Sequence, residues 1–354
     1  MTWRKSLVRL LSLIVIGCLA VSCSASLPAV QRAVIGMTIH VRGADKAGIK
    51  RQFDLMTAMH VKWVRVDVGW AWVESERGQF DWTDPDTVVD EAKARGMNVL
   101  IVLAFTPAWA RSSGAGHAGV TPYSRPTQMS EFADFARIAA QRYASRGVRN
   151  WEIWNEPNLR RFWPPRPAAD EYGDLFRSAA AAIRGVDSKA RLLIAGLSPK
   201  YGSSDDESSP VDYLEKLYDN GTAQLADAIA VHPYSFPAMP MAAQQRMIGG
   251  FKDLPALHTV MDNHGDGKKK IWITEFGSPT GSGPNSVSEQ DQAAALVQAH
   301  EQFQQWDWAG ALIYYELVDA GENLSDNADN FGVLRESLDP KPAAVALMQA
   351  GSGG

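Results

Sequence analysis

The sequence predicts an α/β protein with a single (β/α)8 TIM barrel after an N-terminal signal segment, on the strength of three observations. Strand-like and helix-like segments alternate along almost the whole chain. The strand-like segments are nearly continuous in apolar character, which is typical of parallel strands buried on both faces. The length of 354 residues suits one large barrel domain. An open doubly wound sheet is the alternative, but neither G-x-G-x-x-G nor G-x-x-x-x-G-K-[ST] follows the first strand-like segment.

Eight segments predict strands because they are short, apolar and rich in β-branched residues. In chain order they read "RAVIGMTIHV", "VKWVRVDV", "MNVLIVLAF", "RNWEIWNE", "ARLLIAGLS", "DAIAVHPYS", "KIWITEFG" and "GALIYYELV".

Eight stretches after these strands predict helices. They read "AGIKRQFDLMTAMH", "PDTVVDEAKARG", "MSEFADFARIAAQRYASRG", "ADEYGDLFRSAAAAIRG", "PVDYLEKLYDN", the region 241–263, "SEQDQAAALVQAHEQFQQ" and "PKPAAVALMQA". Several of them close on an Arg-Gly pair, which suits a helix C-cap.

The first residues predict a secretion signal rather than a part of the fold. The basic stretch "MTWRKSLVR" is followed by an apolar run of 12 residues, "LLSLIVIGCLAV". A bilayer span needs about 20 residues, whereas a shorter run behind basic residues is typical of a secretory signal. We therefore divide the chain into a signal at 1–23, a short tether at 24–33, a barrel domain at 34–350 and a flexible tail at 351–354.

Both cysteines lie in the signal segment, at Cys18 and Cys23. The stretch "LAVSC" resembles a bacterial lipobox and predicts that Cys23 is lipidated, which would anchor the protein in the cell envelope. Lipidation at Cys18 and simple cleavage with secretion are the alternatives. The body after Cys23 contains no cysteine, so disulfides and thiol catalysis are excluded there.

The composition of the chain restricts the classes of partner that the protein could bind. A formal charge of -5 and a pI of about 5.8 argue against nucleic acid, and a membrane contact is expected only through a lipid anchor. Twelve tryptophans can pack cores or stack on the flat faces of sugars. We expect a monomer without a cofactor. We also expect no metal, since the seven histidines show no H-x-x-x-H or similar ligand spacing.

In a barrel of this kind the active site lies where strands end and the following loops begin. Two glutamates stand out there, because Glu156 and Glu275 each close an apolar run that contains tryptophan. Paired carboxylates can cleave a glycosidic bond: one protonates the leaving oxygen and the other attacks the anomeric carbon. A single such glutamate could equally be a salt-bridged structural residue, but two in matching settings favour chemistry.

The residues around these glutamates carry a resemblance to a known group of enzymes. "WEIWNEPN" and "IWITEFG" resemble the two catalytic signatures of the clan A retaining glycoside hydrolases, and the chain looks closest to family 39 and its endo-acting bacterial relatives. "VRVDVGWAWVESERGQFDW", "TPAWA", "VHPYSFP" and "NFGVLRESLDPKPA" support the resemblance, which covers residues 34–350 in the correct order.

The resemblance implies a role for individual residues. Glu156 would be the general acid/base and Glu275 the nucleophile. Asn155 would bond the substrate 2-hydroxyl, which requires the strand to end or bulge before Glu156, because alternation sends neighbours to opposite faces. Arg65 would hold the nucleophile ionised; its alternative is a buried ion pair with Asp67 or Glu152. The other predicted substrate contacts are His40, His232, Tyr234, Trp70 and Trp109.

The eighth strand departs from the pattern of the clan. Many clan A enzymes carry a tryptophan there as a floor for the reactive sugar, whereas this chain has "IYYEL". Tyr314 or Tyr315 would supply the platform, and Glu316 is an additional acid without a role. Other aromatic side chains in the loops, such as Trp72, either stack on sugars or pack the loops onto the barrel.

These features predict a retaining glycoside hydrolase that cleaves an extracellular or cell-envelope polysaccharide or oligosaccharide by double displacement. Exo-acting family 39 enzymes usually add a β-sandwich that does not occur in this sequence, and several loops are long, so we expect endo-action. One alternative is an exo-β-glycosidase of the xylosidase type. The other is a non-catalytic glycan-binding lipoprotein on a barrel scaffold, against which the two intact glutamates argue.

Overall fold

A computed structural model of the chain describes residues 34–41, 44–111, 121–202 and 206–351. The predicted signal at 1–23, with Cys18 and Cys23, and the tether at 24–33 lie outside the described residues. So does the predicted tail, apart from Gly351, which ends the last helix. Within the described part of the chain, no helix combines the length and apolar character needed to cross a membrane.

Eight parallel strands close into a barrel, which confirms the predicted fold class. In the described ranges the strands are β1 (Ile35–Ile39), β2 (Trp63–Gly69), β3 (Asn98–Ala104), β4 (Asn150–Ile153), β5 (Arg191–Leu197), β6 (Lys200–Tyr201), β7 (Ala228–Val231), β8 (Met247–Ile248), β9 (Lys270–Ile273) and β10 (Ala309–Tyr314). The barrel order is β1-β10-β9-β7-β5-β4-β3-β2, and the short strands β6 and β8 pair with each other in an antiparallel sheet.

Helices separate the strands of the barrel. In the described ranges they are α1 (Lys46–Ala58), α2 (Trp70–Val73), α3 (Thr83–Ala94), α4 (Met129–Tyr143), α5 (Ala169–Val186), α6 (Pro210–Asp219), α7 (Leu254–Asn263), α8 (Glu289–Phe303) and α9 (Pro342–Gly351). Side-chain caps begin α1, α6 and α8, where Asp45, Ser209 and Ser288 accept a backbone N–H of the first turn.

The barrel interior changes from apolar to charged along the strands. Its lower part is a cluster of Leu100, Leu193, Ala228, Ala230, Trp272, Ala311 and Ile313, with Trp63 against it. Because successive residues of a strand alternate in direction, Trp63, Arg65 and Asp67 follow one another along the same face of β2. The same spacing carries His232 two residues beyond Ala230, and Thr274 two beyond Trp272. Strand alternation therefore brings polar side chains together at the mouth.

The region 241–263 corrects the prediction of one long helix. Only Leu254–Asn263 is α-helical, and β8, a turn and a short 3-10 helix at Phe251–Asp253 precede it. The cause is Gly249, whose φ of 91° lies in the left-handed region that favours glycine and interrupts a helix. The short helix α2 and the β6–β8 pair were not predicted either, since segments of two to four residues carry too little periodicity to be read from the sequence.

Candidate active site

The backbone turns sharply after β4 and so brings two neighbouring side chains to the mouth of the barrel. The strand ends at Ile153, and Trp154 and Glu156 have φ values of 75° and 44°. Such left-handed conformations are unfavourable for residues with a side chain and persist only where the surroundings impose them. Asn155 and Glu156 are both buried here, at 8% and 7% exposure. The strand thus ends before Glu156, as the prediction for Asn155 requires.

The carboxylates of Glu156 and Glu275 lie close together. One oxygen of each, with a ring nitrogen of His232, falls in a group whose atoms all lie within 4.8 Å of one another. Retaining glycosidases hold their carboxyl groups about 5–5.5 Å apart, whereas inverting enzymes leave about 6.5–9.5 Å for a water molecule. The spacing therefore suits direct attack on the sugar by one of the two carboxylates.

Glu275 is bound from two sides by donors. Arg65 Nη1 donates to Oε1 at 2.6 Å, and the Tyr234 hydroxyl donates to Oε2 at 2.7 Å. Burial raises the pKa of Glu275, and the positive charges of His232 and Arg65 oppose that rise. These two donors and the nearby positive charges favour the ionised form, which is the form that a nucleophile requires.

Arg65 connects the two strands that carry the glutamates. Besides Glu275 it contacts Glu152, to which its Nε donates at 3.0 Å, and Asn155, to which its Nη2 donates at 3.2 Å. Asp67 lies farther away, at 3.9 Å. Both interpretations of Arg65 therefore hold at once, since the side chain touches Glu275 and also forms the buried ion pair with Glu152.

His232 lies between the two glutamates and is fully buried. Its Nδ1 is 2.8 Å from Glu156 Oε1 and 3.5 Å from Glu275 Oε2. Burial alone would lower the pKa of His232, but the negative charges of Glu275, Glu152 and Glu156 raise it to about 9. At neutral pH the ring is therefore positively charged, and it can donate a hydrogen bond to Glu156.

Glu152 is a third buried carboxylate, below the other two, and its role was not predicted. It accepts bonds from Arg65 Nε, from the Gly196 backbone N–H at 2.8 Å and from the Thr274 hydroxyl at 3.2 Å. Burial would raise the pKa of Glu152, but Arg65 and His232 lower it to about 2. The signal in the sequence was a carboxylate in the middle of an apolar strand, between Trp151 and Ile153, where an unpaired charge would be costly.

Gly196 of β5 makes room for this arrangement. A Cβ atom at Gly196 would overlap the imidazole ring of His232. We expect Gly196→Ala to displace that ring and to destabilise the fold by about 1–3 kcal/mol, the usual cost of overpacking a core. Urea unfolding measures the free energy, and the hydrolysis rate reports the displaced ring.

Gly185 provides the matched control for this substitution. It lies in α5, and a Cβ atom there would meet nothing within 4 Å. Gly185→Ala should therefore leave the hydrolysis rate unchanged and stabilise the fold by roughly 0.5–1 kcal/mol, because alanine favours a helix over glycine. Equal behaviour of the two variants would show that His232 does not need the space at Gly196.

Tyr315, rather than Tyr314, faces the mouth of the barrel. Tyr315 is partly exposed, and its ring lies 6.4 Å from the ring of Tyr234 and 5.6 Å from that of His40. His40 is 41% exposed in its side chain and approaches Glu316 Oε2 at 3.4 Å. The position of Tyr315 suits a sugar platform.

Two predicted sugar contacts need correction. Trp70 and Tyr314 are fully buried, so neither ring is open to a ligand. The Trp70 indole N–H donates to Glu74, and the Tyr314 hydroxyl donates to the Leu296 carbonyl of α8. Trp109 stays partly exposed, but the guanidinium of Arg77 lies 4.2 Å from its ring centroid. Alternation along β10 and the first turn of α2 point Tyr314 and Trp70 at the helices.

A cavity of about 310 Å³ lies beside β1 and β2. Its lining includes His40, Asp67 and Trp72, and the indole of Trp72 is 39% exposed. Asp67 also lies beside Arg65, the residue that holds Glu275. The cavity therefore offers both a ring face and carboxylate oxygens, and Asp67 is related to Glu275 through Arg65.

The proximity of Glu156, His232 and Glu275 raises the question of a metal ion, since among the described residues these three form such a group. A metal would require a neutral imidazole. Here, however, the surrounding carboxylates raise the pKa of His232, and both ring nitrogens have hydrogen-bond partners in Glu156 and Thr274. We therefore assign the three side chains to hydrogen bonds with one another. The expectation that the chain needs no metal stays a prediction.

A search of protein families matches one model to most of the chain. The model is described as Cellulase (glycosyl hydrolase family 5) and matches residues 27–311. Two curated relatives, both named β-xylosidase, match shorter segments. The relative from Caldicellulosiruptor saccharolyticus is 36% identical over 124 residues, which is 32% of this chain and 24% of that protein. The relative from Geobacillus stearothermophilus is 26% identical over 199 residues, 50% of this chain and 38% of that protein.

Among solved structures, a family 39 glycoside hydrolase from Bacteroides cellulosilyticus WH2 superposes with a TM-score of 0.72. It is 21% identical to this chain, and the match covers 91% of this chain and 64% of that one. Identity this low supports the fold alone. The chain thus spans less than two thirds of the length of these relatives.

Proposed function

Because the chain belongs to the cellulase family, glycosyl hydrolase family 5 of clan A, we propose that this glycoside hydrolase cleaves β-glycosidic bonds with retention of configuration. The observation that carries the proposal is the approach of Glu156 and Glu275 to within 4.8 Å at the mouth of the barrel. The proposed substrate is a polysaccharide or oligosaccharide outside the cytoplasm, in accord with the signal-like character of residues 1–23.

Two displacements account for the chemistry. In the first, an oxygen of Glu275 forms a bond to the anomeric carbon while the bond to the leaving oxygen breaks, and Glu156 gives its proton to that oxygen. In the second, Glu156 takes a proton from water, whose oxygen attacks the anomeric carbon and releases Glu275. Asn155 is held by Arg65 beside Glu156, where its amide can reach the 2-hydroxyl.

The substituents around Glu275 suit these steps. Arg65 and Tyr234 occupy one oxygen each, so the carboxylate is fixed in orientation before substrate binds. Burial raises the pKa of Tyr234 well above its ordinary value, which keeps its hydroxyl a donor at neutral pH. When the glycosyl–enzyme bond forms, one carboxylate oxygen exchanges a hydrogen bond for a covalent bond.

We propose endo-action on the basis of the cavity beside β1 and β2. Trp72 and Asp67 line this cavity, and Asp67 lies 3.9 Å from Arg65, which binds Glu275, so the cavity suits a further sugar unit. Release of single xylose units from a chain end is the second candidate, because the two curated relatives are named β-xylosidases. Lipid attachment at Cys23 and a monomeric state stay predictions.

A panel of β-linked polysaccharides, with xylan-type chains first, tests both candidates through the release of reducing ends. Endo-action predicts a ladder of oligosaccharides early in the reaction, with Glu275→Gln inactive as the control. Early release of monosaccharide alone would favour the second candidate. Binding without any new reducing ends would contradict hydrolysis and would point to a glycan-binding protein.

A further inference from the structure

A chain of side-chain contacts links the two proposed catalytic glutamates below the sugar site. From Glu156 it runs through His232, Thr274 and Glu152 to Arg65, which returns it to Glu275. Glu152 and His232 have no exposed surface, and Arg65 is 1% exposed. These groups therefore meet one another rather than bulk solvent.

The partners of the imidazole define the hydrogen on its Nε2. The Thr274 hydroxyl has one hydrogen, which it donates to Glu152 Oε1 at 3.2 Å. Its oxygen then has only lone pairs for His232 Nε2 at 3.1 Å, so Nε2 must carry a hydrogen. Nδ1 faces carboxylate oxygens of Glu156 and Glu275 at 2.8 and 3.5 Å. Glu152 Oε1 itself lies 3.7 Å from Nε2 and adds its charge directly.

We propose that Glu152 is a positioning residue, which acts through Thr274 to keep His232 doubly protonated beside the acid/base and the nucleophile. The role in catalysis rests on the proposed function, whereas the protonation of His232 can be measured without any substrate. The cation donates to Glu156 and places a positive charge near Glu275. Glu152 thus acts on both glutamates without touching the sugar.

The charges facing His232 come from several elements. Glu152 lies in β4 and Glu156 in the turn after it. Glu275 follows β9, and the ring of Tyr234, after β7, lies 6.4 Å from the ring of His232. Of these groups, Glu152 alone meets the Nε2 side of the ring, opposite the catalytic pair. Removal of the Glu152 charge should therefore weaken the hold of Nε2 on its proton and leave the contacts of Nδ1 in place.

NMR titration of labelled histidine in the full chain tests the proposal, with the His232 signal assigned by its loss in His232→Gln. We expect the parent protein to keep His232 as an imidazolium up to a pKa of about 9. In Glu152→Gln the pKa should fall by roughly 1–3 units, the usual effect of an opposite charge at contact distance. The matched control is Glu74→Gln, a buried carboxylate that bonds Trp70 and Gly78 instead.

If Glu152→Gln fails to fold, the variants Thr274→Val and Thr274→Ser test whether Glu152 acts on His232 through the Thr274 hydroxyl. Valine removes the relay and should lower the pKa of His232, whereas serine keeps a hydroxyl and should retain the value of the parent. The proposal is overturned if the parent His232 titrates near the ordinary value of 6.5, or if valine and serine variants titrate alike.

The pH profile of hydrolysis adds a readout that a purely structural role would not move. In Glu152→Gln, kcat/KM should fall on the alkaline side at the new pKa of His232, because the imidazolium that donates from both nitrogens is lost there. An unshifted alkaline limb would overturn the effect on catalysis. A chain that hydrolyses no glycan would contradict the proposed function and would leave the NMR result valid.

Discussion

Glu275→Gln is expected to lower kcat/KM on the order of 10⁵-fold, by analogy with the loss of nucleophiles in other enzymes that form covalent intermediates. An amide is a poor nucleophile, and its NH2 group cannot accept one of the two bonds that Arg65 and Tyr234 now donate. The measurement is the initial rate of hydrolysis of an aryl β-xyloside, or of the glycan that proves active in the panel. Mass spectrometry should find no glycosyl–enzyme intermediate in this variant.

Glu74→Gln is the control for this loss. Glu74 is likewise buried, at 7% exposure, but it accepts bonds from Trp70 and Gly78 in the loop after β2. Its variant should keep nearly full activity, and circular dichroism of both variants should show the parent fold. Activity of Glu275→Gln close to that of the parent would assign the nucleophile to another residue.

Glu156→Gln should show a loss that depends on the leaving group. With a poor leaving group, such as another sugar, we expect kcat/KM to fall about 10²–10⁴-fold, the usual contribution of general acid catalysis. An activated aryl glycoside needs no proton, so its first displacement should be slowed far less. The comparison of the two substrates within one variant measures the proton transfer itself.

Glu156→Ala adds an independent test of the second displacement. This variant cannot deprotonate water, and azide, which needs no general base, should speed up the release of the sugar as a glycosyl azide. The product should have the configuration of the substrate, because both displacements occur at the same carbon. Equal losses on the two substrates, without azide rescue, would remove Glu156 from the acid/base role.

The strand pattern made the barrel predictable. Each of the eight strands was visible as a short β-branched run, because parallel strands buried on both faces need apolar residues at every position. The two glutamates were visible for the opposite reason, since a carboxylate at the end of such a run has no place in packing. The error in the region 241–263 came from Gly249, because its left-handed backbone interrupts a helix that composition alone would allow.

Side-chain direction at the strand ends was less predictable. Tyr314 and Tyr315 are adjacent in the sequence, yet one bonds the Leu296 carbonyl of α8 and the other lies near Tyr234. A shift of one residue in the end of β10 would exchange them, and sequence alone does not define that end. Trp70 likewise became a core residue because α2 begins at it and turns its ring towards Phe135.

The sequence by itself determined the barrel, the face on which the site lies and the identity of Glu156 and Glu275 as the candidate pair, because strand alternation and the ends of apolar runs are local properties. The resemblance pointed to Arg65 and His232 beside that pair, but only the tertiary structure decided which atoms they contact. Arg65 and Glu152 lie in β2 and β4, and His232 and Thr274 directly follow β7 and β9. They meet one another and Glu275 through contacts between residues up to 210 positions apart. Contacts at such separations depend on how the barrel closes, and no short pattern records them.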